Sequence, residues 1–164
     1  MNRTRLLCVI ATVFWAAGAY GRQATPPPVE LSEALRAHLK NDRFAIVTSV
    51  RGLPLGVRNS WQMLFGSTTL DIAEPGENFG INDLNGDSRL PPRRMVVAGC
   101  STDHCLVYYE RGGADHTWRV LLFHWRPDTT RIEWGGLAPR GLTSIDEVRK
   151  AVLGGEIKEP ATRW

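Results

Sequence analysis

Cys100 and Cys105 bracket Ser101-Thr102-Asp103-His104, which brings two thiols, two hydroxyls, a carboxylate and an imidazole into six residues. Three kinds of chemistry could use such a run. Joined as a disulfide, the cysteines close a loop and stiffen it, and a stiff loop loses less entropy when it docks on a partner. His104 beside Asp103 then offers a donor and an acceptor at the tip, with Ser101 and Thr102 completing the contact set. The plainer alternative is a structural staple carrying a solvated loop. Left reduced, Cys100, Cys105 and His104 could join His116 or His124 as a four-ligand zinc set, although Cys-x4-Cys sits at the edge of the usual spacing. A thiolate nucleophile is the third possibility, and it requires that the bridge does not form.

Other candidates are weaker. Asp83-Leu-Asn85-Gly-Asp87 opens like a calcium loop, but its glycine is misplaced and Arg94 stands where a bidentate Glu is needed, so an EF-hand is excluded. A looser ion site with Glu74 or Glu77 competes with a plain Asn-Gly-Asp turn. Gly-x-Ser-x-Gly and His-Glu-x-x-His are both absent. No catalytic residue, cofactor or metal site is expected. Trp118, Trp125 and Trp134 could stack on a sugar, but strand alternation puts Trp125 opposite Trp118, which favours core use.

The redox question turns on compartment. Arg3 and Arg5 precede an apolar run of 15 residues, Leu6–Tyr20, followed by small residues around Ala19–Gly21. This is the pattern of an export signal, and the run is short of the roughly 20 residues a membrane span needs. Removal of 1–21 discards Cys8 and leaves two cysteines, which in an oxidising compartment are read first as a disulfide. It also takes the formal net charge of +3 down by the two arginines to +1, which gives little support for nucleic-acid binding. The expected organisation is an export signal over 1–21, a proline-rich linker over 22–28 and one domain over 29–164. No integral membrane segment remains after processing, and the destination is secreted or periplasmic.

The elements that must position the cysteine run follow from periodicity. Leu31, Ala34, Leu35, His38 and Leu39 form one helical stripe over about 30–40, on which His38 reads as a half-buried packing residue, isolated from other polar groups. Residues 43–50 read as a strand. Pro54 starts a second helix through Val57, Trp61, Leu64 and Phe65, which Gly66 ends. Residues 67–92 read as a long ordered loop. Four strands then form a meander over 94–135, the last of them short and ended by Gly135-Gly136. His124 shares a face with Trp118, Val120 and Leu122 and reads as packed. Ser144 and Glu147 make a capping box for a final helix closed by Gly154-Gly155. The expected fold class is α+β: an antiparallel sheet of about four to five strands, with the N-terminal and C-terminal helices on one face.

An exported α+β domain with Cys-x4-Cys at a hairpin tip and adjacent His and Asp resembles the periplasmic inhibitor of vertebrate lysozyme family over residues 95–157. Leu122-Phe123, Ile132-Glu-Trp134 and the helix from Ile145-Asp146 to Leu153-Gly-Gly-Glu-Ile157 carry the rest of the likeness. The resemblance implies that a disulfide-closed loop inserts a histidine into a lysozyme cleft, and His104 is the candidate here. The family orders its tip Lys-Pro-His-Asp, whereas this chain has Ser-Thr-Asp-His. Tyr109–Gly113 and Glu133–Gly136 also resemble uncharacterised secreted bacterial proteins, a likeness that brings no function. The leading expectation is a secreted or periplasmic binding protein presenting the Cys100–Cys105 loop to a secreted or envelope hydrolase. One alternative is a small secreted enzyme or carbohydrate-binding domain using Glu74, Glu77, Asp83, Asp87 and His116. The other is a structural envelope protein.

Overall fold

The computed structural model describes residues 30–81 and 89–157. The export-signal pattern, the proline linker and Asp83, Asn85 and Asp87 lie outside the described residues. Five antiparallel strands follow one another across the sheet in chain order: β1 (Ala45–Val47), β2 (Arg93–Cys100), β3 (His104–Arg111), β4 (Thr117–Trp125) and β5 (Thr130–Ala138). The α+β class agrees with the sequence reading.

Alternation along β3 sorts the core into two halves. Leu106 and Tyr108 face α1 (Glu33–Asn41) and α3 (Ile145–Leu153), meeting Leu39, Val148 and Val152. Val107 and Tyr109 face α2 (Leu55–Leu64), meeting Val57 and Trp61. Both faces of the sheet are covered, so β3 is buried from His104 to Glu110. The terminal helices share one face, as expected, and α2 takes the other.

Two strand boundaries differ from expectation. Of residues 43–50, only β1 pairs with β2, through Ala45↔Cys100 to Val47↔Ala98. The chain then turns into a 3-10 helix, Val50–Gly52, where Ser49 Oγ accepts the Gly52 N–H and Glu74 Oε2 accepts the Val50 N–H. Side chains satisfy these donors where a longer edge strand would have left them unpaired. β5 runs through Gly135 and Gly136, which pair with Leu121 and Val120. Glycine keeps both backbone bonding groups, so the ladder overrides its weak strand preference.

The final helix starts at the predicted Ser144 cap. Ser144 Oγ accepts the Glu147 N–H, but the Glu147 carboxylate takes the N–H and hydroxyl of Thr143, one residue before the cap.

Candidate functional site

Cys100 and Cys105 are bonded and stand directly opposite each other at the end of the β2–β3 ladder. The bridge packs toward α2. Residues 101–103 turn the chain, fixed by the Ser101 N–H donating to His104 O at 2.7 Å and the His104 N–H donating to Ser101 Oγ at 3.1 Å. The Trp125 N–H donates to Asp103 O at 2.8 Å, tying the turn to the end of β4. Because side chains alternate, His104 leaves the strand on the face opposite the disulfide, toward α1.

There His104 is enclosed, only 3 % exposed, with a carboxylate on each ring nitrogen. Asp103 Oδ1 lies 2.8 Å from Nδ1 and Glu133 Oε2 lies 3.3 Å from Nε2. Burial alone would raise the Asp103 carboxyl, but the hydrogen bond from His104 and the charges of His104, His38 and His124 outweigh it and hold Asp103 below its ordinary value. Asp103 is therefore an acceptor and Nδ1 carries the proton.

Glu133 reaches this ring through a β-bulge. Leu122 pairs with Trp134 and Phe123 with Ile132, so Glu133 is the extra residue in β5. Two residues apart in a regular strand, Ile132 and Trp134 would share a face. The bulge sends Ile132 toward α2 and Trp134 toward α1 and α3. Glu133 is thereby re-aimed across β4 to His104. Its other oxygen, Oε1, accepts from Arg131 Nη2 at 2.6 Å.

His124 pairs with His104 in register, their rings 5.3 Å apart and edge-on. Burial first, and then the charge of Arg131, lower the pKa of His124 against the opposing pull of Glu133. His38 covers the other side, its ring 4.1 Å from that of His104, and its Nδ1 lies 3.0 Å from Asp42 Oδ2. The α1 helix that carries His38 is held by α3: Arg149 donates to Leu39 O at 2.7 Å and to Lys40 O and Asp42 O at 3.2 Å each, covering the carbonyls at its C-terminal end.

These side chains line a pocket of about 600 Å³ between α1, the turn and the ends of β4 and β5. Its walls carry three imidazoles (His38, His104, His124) and the carboxylates of Glu30, Asp103 and Glu133, against the single guanidinium of Arg131. The ligating atoms of His104, His124 and Glu133 lie within 4.8 Å of one another, as do those of His38, Asp42, Asp103 and His104. Both ring nitrogens of His104 face carboxylates, and the bonded cysteines supply no thiolate.

The residues expected to bind are thus divided. Asp103 and His104 meet in the pocket, Ser101 holds the turn and reaches Asp42 at 3.3 Å, and Thr102 is exposed at the apex. Zinc ligation through Cys100 and Cys105 is ruled out by their bond. His116 stands elsewhere, its Nε2 donating to Glu110 Oε2 at 3.0 Å. Glu74 and Glu77 hold backbone: Glu74 Oε2 accepts the Val50 N–H and Glu77 Oε2 accepts the Glu74 N–H. His38 is not isolated from polar groups, and His124 faces the pocket although its strand face follows the alternation. Sequence reasoning overlooked Asp42, Arg131 and Glu133. Only the i, i+4 spacing of His38 and Asp42 could have signalled one of them.

No protein-family model matches this chain, and neither a curated protein nor a solved structure matches it. Among the described residues, no helix is long and apolar enough to cross a membrane.

Proposed function

We propose that this chain is an exported binding protein whose site is the imidazole–carboxylate pocket at the neck of the disulfide-closed hairpin, and that the pocket receives a cationic group. One observation carries the reading. With Nδ1–H committed to Asp103, a neutral His104 turns its Nε2 lone pair toward Glu133 Oε2 at 3.3 Å. Two acceptors in contact need a positive charge between them. A second proton on His104 supplies it without a ligand, and the ligand's cation supplies it on binding. The N-terminal charge and apolar pattern supports export, and export is compatible with the disulfide.

Where the ligand belongs to a protein partner, such as a secreted or envelope hydrolase, the turn remains the contact element. Thr102 stands exposed at its apex while His104 is turned inward, so the partner inserts and this chain receives. The burial of His104 lends nothing to an inserted histidine of the lysozyme-inhibitor kind.

Calorimetric titration of the purified, oxidised chain with a lysyl peptide, an arginyl peptide, a polyamine and divalent metal ions tests the reading. At least one of these cations binds saturably, and Glu133→Gln weakens that binding. No saturable binding by any of them, or equal binding to the variant, overturns it.

A further inference from the structure

Resting on the cation-pocket reading, we infer that His104 Nε2, a ring nitrogen of His124 and Glu133 Oε2 form a three-ligand site for a divalent transition-metal ion of the zinc class, with a fourth position open to the pocket. The spacing decides between a metal and an organic cation. An ammonium nitrogen accepted by both His104 and Glu133 at about 2.8 Å would see them at an angle of roughly 72°, far from the tetrahedral directions of its N–H bonds. A metal at about 2.05 Å from both, across the same 3.3 Å, sees them at roughly 107°, close to tetrahedral. The His124 nitrogen lies within 4.8 Å of the other two ligand atoms. The site requires roughly 3.4 Å, so the half-buried His124 ring turns toward the ion on binding.

The surroundings also fit. His104 donates its second ring nitrogen to Asp103, which fixes the tautomer and aims Nε2, the usual support for a metal-bound imidazole. Arg131 holds the non-ligating oxygen of Glu133, which steadies the carboxylate and leaves Oε2 free for the metal. Two imidazoles with one carboxylate suit zinc-class ions rather than calcium or magnesium, which prefer all-oxygen sites. The neighbouring set of His38, Asp42, Asp103 and His104 is the poorer alternative. It would need His104 Nδ1, which Asp103 already holds, and Asp42 Oδ2, which already meets His38 and Ser101.

The test is titration of the chelator-treated, desalted chain, disulfide intact, with Zn²⁺ by calorimetry and with Co²⁺ by visible absorption. One equivalent of Zn²⁺ binds, and Co²⁺ gives the intense band of a four-coordinate site. His124→Gln and Glu133→Gln, both at half-buried positions, each weaken Zn²⁺ by at least about tenfold while circular dichroism stays native. Asp103→Asn, which acts through His104, weakens it by about 10- to 100-fold. Wild-type protein that takes up no Zn²⁺, or folded His124→Gln and Glu133→Gln proteins that bind it as tightly as wild type, overturns the metal site. Saturable lysyl or arginyl peptide binding under the same conditions would then leave the cation pocket standing, and its absence would remove both.

Discussion

His104 and Glu133 meet across an intervening strand: Nε2 on β3 lies 3.3 Å from Oε2 on β5, above His124 of β4. The reach depends on the single extra residue in β5, which gives Glu133 two roles, one in the pocket and one in strand register.

These roles separate by mutation. Glu133→Ala removes the carboxylate but keeps the bulge, so its folding stability stays within about 1 kcal/mol of wild type. Inserting a residue between Leu122 and Phe123, opposite Glu133, instead makes the pairing regular, puts Ile132 and Trp134 on one face and pulls one of them out of its core, costing about 3 kcal/mol or more. Urea denaturation of the two variants measures the difference, and equal stabilities would mean that the bulge does not set the register.

The disulfide closes a six-residue loop, for which chain-entropy counting gives about 2 kcal/mol. Reductant is expected to lower the folding stability read from urea denaturation by that amount without unfolding the chain, because the core on both faces is made mostly of side chains other than the two cysteines. A chain that unfolds on reduction in buffer would show that the bridge holds the fold rather than the turn.

Arg149 ties α3 to the C-terminal end of α1 through three carbonyls. Arg149→Ala should cost about 2 kcal/mol, since several bonds from a charged donor are lost together. It should also raise amide hydrogen exchange along α1 around His38. Unchanged exchange there would show that the helix is held by its apolar stripe alone.

Asp103 has its carboxyl held below the ordinary 3.8 in the folded chain. A group with a depressed folded pKa stabilises above the unfolded value, and that contribution disappears as pH falls through the folded one. Asp103→Asn is therefore less stable than wild type near neutrality, and the gap narrows below about pH 4. Denaturation at a series of pH values reads this directly, and a gap independent of pH would rule out the charge as its source.

Tyr109 behaves in the opposite sense. Burial lifts its phenol from 10 to about 12. The unfolded chain loses that proton first, so the folding stability present below pH 10 drains away as pH rises toward 12, by about 3 kcal/mol in all. Tyrosinate absorbance should rise together with unfolding for this residue. Reversible titration near 10 in the folded protein would contradict its burial against Trp61.

Much was legible in the chain itself because it rests on local rules. The stripe through Leu31, Leu35 and Leu39 specifies an amphipathic helix, Ser144 marks the start of α3, and alternation along Cys105–Tyr109 and Trp118–Trp125 separates the two faces of β3 and β4. The pairing of Cys100 with Cys105 follows from a short turn between two strands, which leaves their side chains opposite one another. What gathers around His104 has no such local rule. His38 arrives because Arg149, 111 residues further along, fixes the end of α1, and Glu133 arrives because β5 spends one residue on a bulge. A bulge reverses alternation from that point on without a glycine or proline to mark it, and helix docking is decided by the shape of the assembled core. The sequence by itself therefore determined the elements and the bridge, while the tertiary structure alone decided which polar side chains share a pocket, because that depends on distances between strands and not on spacing along one.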